Sequence, residues 1–506
     1  MKKIKKIIAI IIIINTIILA LNQMVFAVSN NDILRKEEYS EEYLKWLELP
    51  EEERKNTLEP RMYKIDSSNV TVGYSNPLRR ALVAEANLES EYRLDNQNNE
   101  INIEIKDQRP GEYCWSYAAL SSLETNLKKT GKASHNYSEK HMAYSCSTDY
   151  SDYNRDGNSG GNWQIAEEYL TNGQGAVIEG EGGKIAKSDG SGDTKTLTVE
   201  DKAYFGSNNK ADTRVYDTIY FPDYNESNNS SDIIKKVKTH IKTYGAVYAT
   251  INDGYLDKTG TETINGKNVY CNDGLVSENH AVSIIGWNDN YDKSNFKIQP
   301  NNNGAWIVRN SWGTGAGENG YIYVSYEDKL ISKNLNGIIK ADTELKYDYI
   351  YQNSEVFPNS MLKYSNIGKL YLCNIFDKKD NMKDITAISL TALQKCTCKV
   401  YIKEIEDEIN LTKVQNDDMY SMELTDIGDV LSTKTIEPGY HTIELENTRS
   451  ISTDKFAVII SIETDENYID IAAVQNIIAN TDGNDSNPLK ETLKISATKC
   501  FYSARK

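Results

Sequence analysis

The sequence lacks the features of a membrane-spanning or nucleic-acid-binding protein. Beyond an apolar run at residues 7–21, no stretch is long and apolar enough to cross a bilayer. Basic residues are in the minority, with 57 Lys and Arg against 74 Asp and Glu and a net charge of −17, which excludes a basic face for nucleic acid. Neither an internal repeat nor a cell-wall-anchoring repeat is present. The 506 residues are therefore expected to form a soluble protein of two or three domains.

The N-terminal segment has the composition of a secretion signal. Four lysines among the first six residues precede the apolar run, and Val25-Phe26-Ala27 fits a signal-peptidase site. An uncleaved membrane anchor is the alternative, but the run is short for a transmembrane helix. We therefore predict a signal peptide over residues 1–27, a secreted chain, and no membrane attachment after cleavage.

The cysteines are few and odd in number. In a secreted protein, one of the seven is expected to be a free reactive thiol, and Cys114 is the candidate. Cys396 and Cys398 point to one face of a predicted strand, where they could bind a metal together with Cys373 or Cys500. Buried thiols or one disulfide are the alternative, and it is favoured because no His or Cys has zinc-finger spacing.

Cys114 lies where a turn-rich loop becomes a helix. Behind it, Trp115, Leu120, Leu123 and Leu127 recur at helical spacing. A helix N-terminus carries partial positive charge, so this position favours a thiolate. Gln108, six residues upstream, supplies an amide donor. The pattern indicates a nucleophile that faces an oxyanion hole.

Four ordered motifs resemble those of papain-like cysteine proteases. The family's order of Gln, Cys, His and Asn is found at Gln108, Cys114, His280 and Asn310, within segments 107–118, 279–287 and 305–314. The resemblance implies that Cys114 is the nucleophile, that His280 is its acid and base, and that Asn310 orients His280. It also implies that Gln108 stabilises the oxyanion.

The same resemblance implies further contacts with substrate. Gly160 and Gly161 match the turn whose backbone pairs with the extended substrate, and Asn279 matches a position beside it. Trp312 would shield the bond between Asn310 and His280 from water. One departure concerns residues 111–113, which read Gly-Glu-Tyr where the family usually has Cys-Gly-Ser. The first Cys of the family's usual disulfide is therefore missing, and Glu112 and Tyr113 are expected to narrow specificity.

The expected fold is α+β. A propeptide over residues 28–87, for which a flexible spacer is the alternative, would precede a two-lobed papain-like domain at 88–340 with a helical lobe and a β-barrel-like lobe. Short β-type runs between turns then predict an all-β sandwich at 345–506. Residues 347–352 resemble the opening of the lectin-like domain that follows the catalytic domain in some bacterial members. Such a domain would bind cell-surface glycans or serve only as structural support.

The sequence thus predicts a secreted cysteine endopeptidase that hydrolyses protein or peptide substrates outside the cell or at its surface. The alternatives are a peptidoglycan peptide hydrolase and an inactive carbohydrate-binding adhesin on a protease scaffold. No metal or other cofactor is expected, with one open question. Residues 152–157 match the first half of an EF-hand calcium loop, but position twelve is Trp163 instead of Glu, so an Asx-rich turn is the alternative.

Overall fold

The computed structural model places most of two globular regions and part of the segment that precedes them. It describes residues 34–36, 39–55, 57–62, 88–95, 101–151, 153, 155–180, 202, 211–224, 230–253, 263–264, 267–270, 277–352, 360–365, 368–380, 382–405, 412–413, 420–421, 427–473 and 501–505. The predicted signal peptide at 1–27 lies outside the described residues. Among the residues described, no helix combines the length and apolarity needed to cross a membrane.

The first region contains both helices and strands, and the described part of the second contains strands alone. The α-helices are α1 (Glu41–Leu47), α2 (Glu51–Lys55), α3 (Cys114–Lys129), α4 (Glu139–Ser145), α5 (Trp163–Thr171) and α6 (Ser230–Tyr244). The strands are β1 (Leu34–Lys36), β2 (Glu91–Arg93), β3 (Arg214–Tyr220), β4 (Val247–Ile251), β5 (Thr263–Ile264), β6 (Lys267–Tyr270), β7 (His280–Asn288), β8 (Ala305–Arg309), β9 (Tyr321–Ser325), β10 (Asn336–Asp342), β11 (Tyr349–Tyr351), β12 (Ser360–Ser365), β13 (Lys369–Asp377), β14 (Asp384–Ala392), β15 (Cys396–Ile405), β16 (Thr412–Lys413), β17 (Tyr420–Ser421), β18 (Ser432–Ile436), β19 (Gly439–Ser450), β20 (Lys455–Glu463), β21 (Tyr468–Ala473) and β22 (Phe501–Arg505).

A helical lobe is built around α3. Its Trp115, Leu120, Leu123 and Leu127 are fully buried and pack with residues of α4 and α5 in one apolar core. Ser138 caps α4, because its side chain accepts the His141 N–H. The lobe therefore holds Cys114 at the start of a helix that is buried along nearly its whole length.

A β-rich lobe faces the helical lobe. Strands β4, β7, β8 and β9 form an antiparallel run, and β2 pairs with β7. Helix α6 covers this sheet with the predicted apolar stripe, of which Ile233, Val237 and Ile241 are buried. Gly245 ends the helix with a φ of +113°, a conformation that glycine adopts without steric cost. The lobe brings the N-terminal end of β7, where His280 lies, to α3.

The second region is a β-sandwich. One layer has the order β11-β22-β14-β19 and the other β13-β20-β15-β18. Alternate residues from both layers, such as Ile388 and Ile443 opposite Val400 and Val458, fill a common core. The predicted α+β class, with a two-lobed papain-like domain followed by an all-β sandwich, is confirmed.

One sheet passes from the protease region into the sandwich. Strand β19 pairs with β3 through His441 and Asp217, so the sandwich layer continues into the sheet that holds β10, β4 and β7. The side-chain hydroxyl of Thr218 accepts the Tyr440 N–H at 2.8 Å, and the Nζ of Lys346 lies 2.9 Å from the carboxylate of Glu444. The two regions are therefore joined by main-chain pairing as well as by side chains.

An N-terminal segment, residues 39–62, packs against the protease region. Ser40 caps α1 and also fixes the far end of the segment, because its Oγ donates to the Arg61 carbonyl at 2.6 Å and its N–H donates to the Met62 carbonyl at 2.7 Å. Trp46 Nε1 donates to Thr57 Oγ1 at 3.0 Å. Before this segment, β1 pairs antiparallel with β12 of the second region. The N-terminal segment is therefore a folded element, unlike a flexible spacer.

One local prediction is wrong. The alternation of Ile101, Ile103 and Ile105 predicts a strand that leads to Gln108, but these residues form irregular structure. Ile101 and Ile103 are nevertheless buried in the core of the β-rich lobe. Burial of alternate residues therefore arises here from extended backbone without a paired strand.

Candidate active site

Cys114 is the first residue of α3 and is buried. Its Sγ accepts a hydrogen bond from the Ala281 N–H at 3.4 Å, so the residue after His280 contacts the thiol. Burial raises the pKa of the Cys114 thiol to about 12, and the charges of Asp253 and Glu112 act in the same direction. Desolvation therefore opposes the thiolate that the helix N-terminus is predicted to favour.

His280 and Asn310 are directly hydrogen-bonded. His280 Nε2 lies 2.8 Å from Asn310 Oδ1, and because an amide oxygen only accepts, Nε2 carries the hydrogen. The indole ring of Trp312 lies 4.9 Å from the imidazole, centroid to centroid, and tilts 32° from it. Burial lowers the pKa of His280, against the charge of Asp253 and the Asn310 bond. Nδ1 of a neutral imidazole is thereby left without a proton and able to accept one.

Gln108 is held rigidly beside the nucleophile's helix. Its Oε1 accepts the Ser311 hydroxyl at 2.5 Å, and its Nε2 donates to the Gly111 carbonyl at 3.0 Å. Its backbone N–H also donates to the Ser311 carbonyl at 2.8 Å. A primary amide has two N–H groups, so one donor of Gln108 remains for another acceptor.

The N-terminal segment occupies the position expected for substrate. The Glu59 N–H donates to the Gly161 carbonyl at 3.3 Å, and a Cβ atom on Gly160 would collide with the Thr57 carbonyl. Leu58, between them, is 2% exposed and shares an apolar core with Cys114 and Trp115. Gly160 and Gly161 thus border an extended chain, but here that chain is the protein's own.

Comparisons with known proteins agree with this geometry. The sequence pattern described as papain family cysteine protease matches residues 91–341, and that described as lectin like domain matches residues 350–491. Residues 91–341 belong to the papain family of cysteine proteases.

Two kinds of relative support the family assignment. A cathepsin L-like protein of Caenorhabditis elegans is 26% identical over 276 residues, which cover 53% of this chain and 67% of the relative. The cysteine protease and lectin-like domains of Cwp84, a surface layer associated protein of Clostridium difficile, superimpose with a TM-score of 0.66 at 20% identity. That likeness covers 94% of this chain and 99% of the Cwp84 structure, so it shows a common fold.

A second Cwp84 structure is a cysteine-to-alanine variant after propeptide cleavage. It superimposes with a TM-score of 0.62 at 20% identity and covers 82% of this chain and all of that structure. The chain therefore contains a papain-family cysteine protease domain followed by a lectin-like domain.

Within the papain-family domain, Asn279 and Tyr113 have roles that the sequence did not indicate. Asn279 exchanges two hydrogen bonds with Asp253, of 2.8 Å through Oδ1 and 2.6 Å through Nδ2. Tyr113 is fully buried in the helical core and stacks on Tyr117. The expectation that Glu112 and Tyr113 narrow specificity stays a prediction.

Arg155 was not foreseen from the sequence. Its Nη1 donates to the carbonyls of Ala143 and Cys146 at 3.2 and 2.9 Å, and its Nη2 donates to those of Ser159 and Gly160. The guanidinium lies over the Trp115 ring, 5.0 Å from its centroid. Arg155 therefore fixes the Gly160 backbone to the helix that carries Cys114. No local motif marks this role, because all of its partners are carbonyl oxygens.

A second contact joins the same loops where the papain-family disulfide is missing. Gly111 stands at the place of the family's first Cys, and the next residue, Glu112, donates its N–H to Asn158 Oδ1 at 3.2 Å. The side chain of Asn158 thus connects the loop before Cys114 to the loop before Gly160. Asn158 and Arg155 therefore connect the two loops by hydrogen bonds.

The possible metal ligands can be placed only in part. Asp152 and Asn154 of the half EF-hand pattern lie outside the described residues, and so do Cys271 and Cys500. The described residues contain no group of three or more His, Cys, Asp or Glu that could hold a metal ion. Cys396 and Cys398 are buried on one face of β15 with their Sγ atoms 3.7 Å apart.

Proposed function

We propose that the chain is a secreted cysteine endopeptidase, made as a zymogen, that hydrolyses protein substrates at or near the cell surface. The proposal depends on one observation above all. His280 is fixed by its Nε2 bond of 2.8 Å to Asn310, and its neighbour Ala281 contacts the Cys114 thiol at 3.4 Å. That arrangement leaves the second imidazole nitrogen for proton exchange with Cys114.

The chemistry is acyl transfer. Cys114 Sγ attacks the scissile carbonyl while its proton passes to His280 Nδ1, and a tetrahedral oxyanion forms. The free amide N–H of Gln108 and the backbone N–H of Cys114 stabilise that oxyanion. His280 then protonates the leaving amine as the C–N bond breaks, and water releases the acyl group from sulfur with His280 as the base.

The N-terminal segment blocks this chemistry in two ways. It fills the cleft beside Gly160 and Gly161, and Leu58 keeps water from Cys114. A dehydrated thiol with a pKa near 12 is a poor nucleophile at neutral pH, since only the thiolate attacks. Removal of the segment hydrates the cleft, which stabilises the ion pair of thiolate and imidazolium. Cleavage of the chain is therefore expected to switch chemistry on as well as to clear the cleft.

The proposed location depends on the predicted signal peptide and on the similarity to Cwp84. Residues 1–27 have the pattern of a signal peptide, and Cwp84 is described as a surface layer associated protein. The lectin-like domain would then bind cell-surface glycans, which would keep the protease near its substrates.

The test uses the matured enzyme and a protein substrate. Cys114→Ala and Cys114→Ser should abolish hydrolysis and leave the circular dichroism spectrum unchanged, because the side chain is small and its hydrogen bond with the Ala281 N–H is weak. Cys373→Ser, at an exposed cysteine of the sandwich, is the matched control and should retain full activity.

The outcome also separates the alternatives. Full activity of Cys114→Ala would overturn the assignment of the nucleophile. Cleavage of isolated peptidoglycan stem peptides in preference to proteins would favour a cell-wall hydrolase. Glycan binding by a wild-type chain that hydrolyses neither proteins nor stem peptides would favour the inactive carbohydrate-binding adhesin.

A further inference from the structure

A groove lies in the second region, on the outer face of the sandwich layer β13-β20-β15-β18. Its volume is about 950 Å³, within the range of about 300–1,000 Å³ that is typical of ligand sites. The described residues that line it fall between Gly368 and Tyr468, outside the papain-family domain at 91–341. The Cys-His-Asn chemistry therefore does not use this groove.

The floor of the groove is a row of polar side chains that crosses all four strands of the layer. From β13 through β20 and β15 to β18, the row consists of Lys369, Glu463, Thr397 and Thr435. Successive residues of a strand face opposite sides of a sheet, and Ile462, next to Glu463, belongs to the sandwich core. The row consequently faces outward, and neighbours across the strands are close enough to contact one ligand.

Glu463 lies between two lysines. The Nζ atoms of Lys369 and Lys399 lie 2.9 and 3.1 Å from its Oε1, so both cations contact the same carboxylate oxygen. Among the described residues, none donates a hydrogen bond to Oε2 of Glu463. Each ammonium has three N–H groups, so donors also remain. Because the three side chains are 32–42% exposed, these groups are accessible to a ligand.

Hydroxyl groups and an aromatic ring flank the two ion pairs. Thr397 Oγ1 and Thr435 Oγ1 lie 2.9 Å apart in an exposed pair. Tyr371 follows Lys369 by two residues, so it lies on the same face of β13, and it is 44% exposed. The Nζ of Lys369 lies 4.9 Å from the centroid of the Tyr371 ring. The groove thus combines carboxylate, ammonium and hydroxyl groups with an exposed aromatic ring at its border.

One wall of the groove is fixed by a buried amide. Gln394 is 5% exposed, and its Nε2 donates to the Tyr468 carbonyl at 3.0 Å and to Thr464 Oγ1 at 3.3 Å. Its Oε1 accepts the Asp470 N–H at 2.8 Å, and the Thr464 N–H donates to the Gly368 carbonyl at 3.0 Å. These bonds restrain the loop between β20 and β21, so a ligand would not have to order that wall when it binds.

The charges that line the groove are balanced. Three lysines and three acids are among the described lining residues: Lys369, Lys395, Lys399, Glu463, Asp465 and Glu466. These residues carry no net charge that would favour an ionic ligand. Adjacent hydroxyls of a sugar can donate to a carboxylate and accept from an ammonium, and such charge-assisted bonds are stronger than those between neutral groups. The C–H face of a sugar ring can also pack against an aromatic side chain. A neutral saccharide matches this set of groups.

We propose that this groove binds a neutral saccharide, whose adjacent hydroxyls donate to Glu463 and accept from Lys369 and Lys399. The exposed part of the Tyr371 ring packs against the sugar. The inference rests on the proposed function, because that function includes glycan binding by the lectin-like domain, and it assigns a place and a ligand class to that binding. A surface coated with such a saccharide would hold the protease domain beside the proteins exposed there.

The first test measures binding of full-length Cys114→Ala protein, chosen to prevent self-digestion, to immobilised oligosaccharides. The panel contains neutral chains of glucose, mannose, galactose and N-acetylglucosamine, and anionic chains that carry uronic or sialic acids. At least one neutral chain should bind. For that oligosaccharide in solution, calorimetry should show a Kd about 10- to 100-fold higher for Glu463→Gln, which removes the charge and little volume. Glu446→Gln, the matched control at an exposed acid of β19, should keep the affinity of the parent.

The second test locates the ligand without a substitution in the groove. With the oligosaccharide bound, hydrogen exchange should slow in peptides that contain residues 394–399 and 461–466, and it should not change in peptides from β7. Slower exchange only elsewhere, or equal affinities of Glu463→Gln and its parent, would overturn the inference and leave glycan binding by the domain intact. Binding of anionic chains alone would also overturn it.

Absence of binding to every chain of the panel would overturn the inference together with the glycan-binding part of the proposed function. Hydrolysis of a protein substrate by the matured wild type is measured separately, so the protease assignment stands or falls independently of the groove.

Discussion

At the scale of single residues, the most direct prediction concerns Gln108. Gln108→Ala should lower kcat by about 10²-fold and change KM little, because its free N–H is expected to bind the oxyanion and not the ground-state carbonyl. The variant also loses bonds to Ser311 and Gly111, so rates are to be measured well below its melting temperature. A raised KM with unchanged kcat would make Gln108 a substrate-binding residue instead.

The sequence allowed Cys114, His280, Asn310 and Gln108 to be proposed because each lies in a local motif whose neighbours are also recognisable. Their catalytic roles stay predictions, although the structure places them in one cluster. Arg155 could not be found in this way. Its role depends on hydrogen bonds to backbone carbonyl oxygens of two loops, and such acceptors leave no motif in the sequence.

The pKa of Cys114 could not be predicted from the local sequence either. A helix N-terminus is visible in a sequence and favours a thiolate, but the desolvation that raises the thiol pKa to about 12 depends on packing.

At the scale of elements, the strands of the sandwich were predicted well. The runs at 385–392, 397–404 and 456–462 correspond to β14, β15 and β20, because apolar residues alternate between a core face and a polar face. Ile101, Ile103 and Ile105 show the same alternation and form no strand. Pairing requires a neighbouring edge, which alternation alone does not supply.

The N-terminal segment should bind more weakly as pH rises. Burial raises the pKa of Glu59 to about 7 in the bound segment, against the charge of Arg155, whereas a free glutamate titrates near about 4.3. A group whose pKa is raised in the bound state favours binding fully below its free pKa, and that contribution is lost as the pH rises through about 7. Low pH should therefore strengthen binding of the N-terminal segment to the cleft, through protonation of Glu59, instead of releasing the segment.

Calorimetry can measure this effect without interference from catalysis. The dissociation constant of peptide 39–62 for matured Cys114→Ala enzyme should increase between pH 5 and pH 8. Glu59→Gln in the peptide should remove most of the change. An affinity that increases with pH would contradict the expectation.

Proteolytic removal of the N-terminal segment is expected to occur by cleavage between about Met62 and Leu88. Residues 63–87 lie outside the described part of the chain. Cys114→Ala should keep the N-terminal segment after purification, and active enzyme added in trans should remove it. N-terminal sequencing of both products gives the cleavage site. A fully active chain that begins at Val28 would show that the segment does not inhibit.

At the scale of the whole molecule, maturation should also alter the lectin-like domain. Strand β1 covers one edge of β12, whose other edge pairs with β21. Loss of β1 would expose that edge at residues 362–364, and the one or two amides there that face β1 should exchange hydrogen faster, because alternate residues of an antiparallel strand face each neighbour.

Hydrogen exchange followed by mass spectrometry, on Cys114→Ala chains before and after processing, measures this change. Peptides from β13 are the control, since that strand pairs with β20 and, among the described strands, lies in a different sheet from β1. Unchanged exchange in β12 would contradict the described pairing.

The sheet that continues from β7 through β3 into β19 has a consequence for how the enzyme meets its targets. Linked domains usually pivot about a flexible connection, but here β19 pairs with β3 across the junction, at His441 and Asp217. This pairing restricts rotation of the cleft relative to the outer face of the sandwich. If the sandwich binds a surface, the cleft is held within a limited range of heights and orientations above that surface. The enzyme would then cleave only the scissile bonds that reach the cleft. Polypeptides of identical sequence would therefore differ in susceptibility according to their position on the surface.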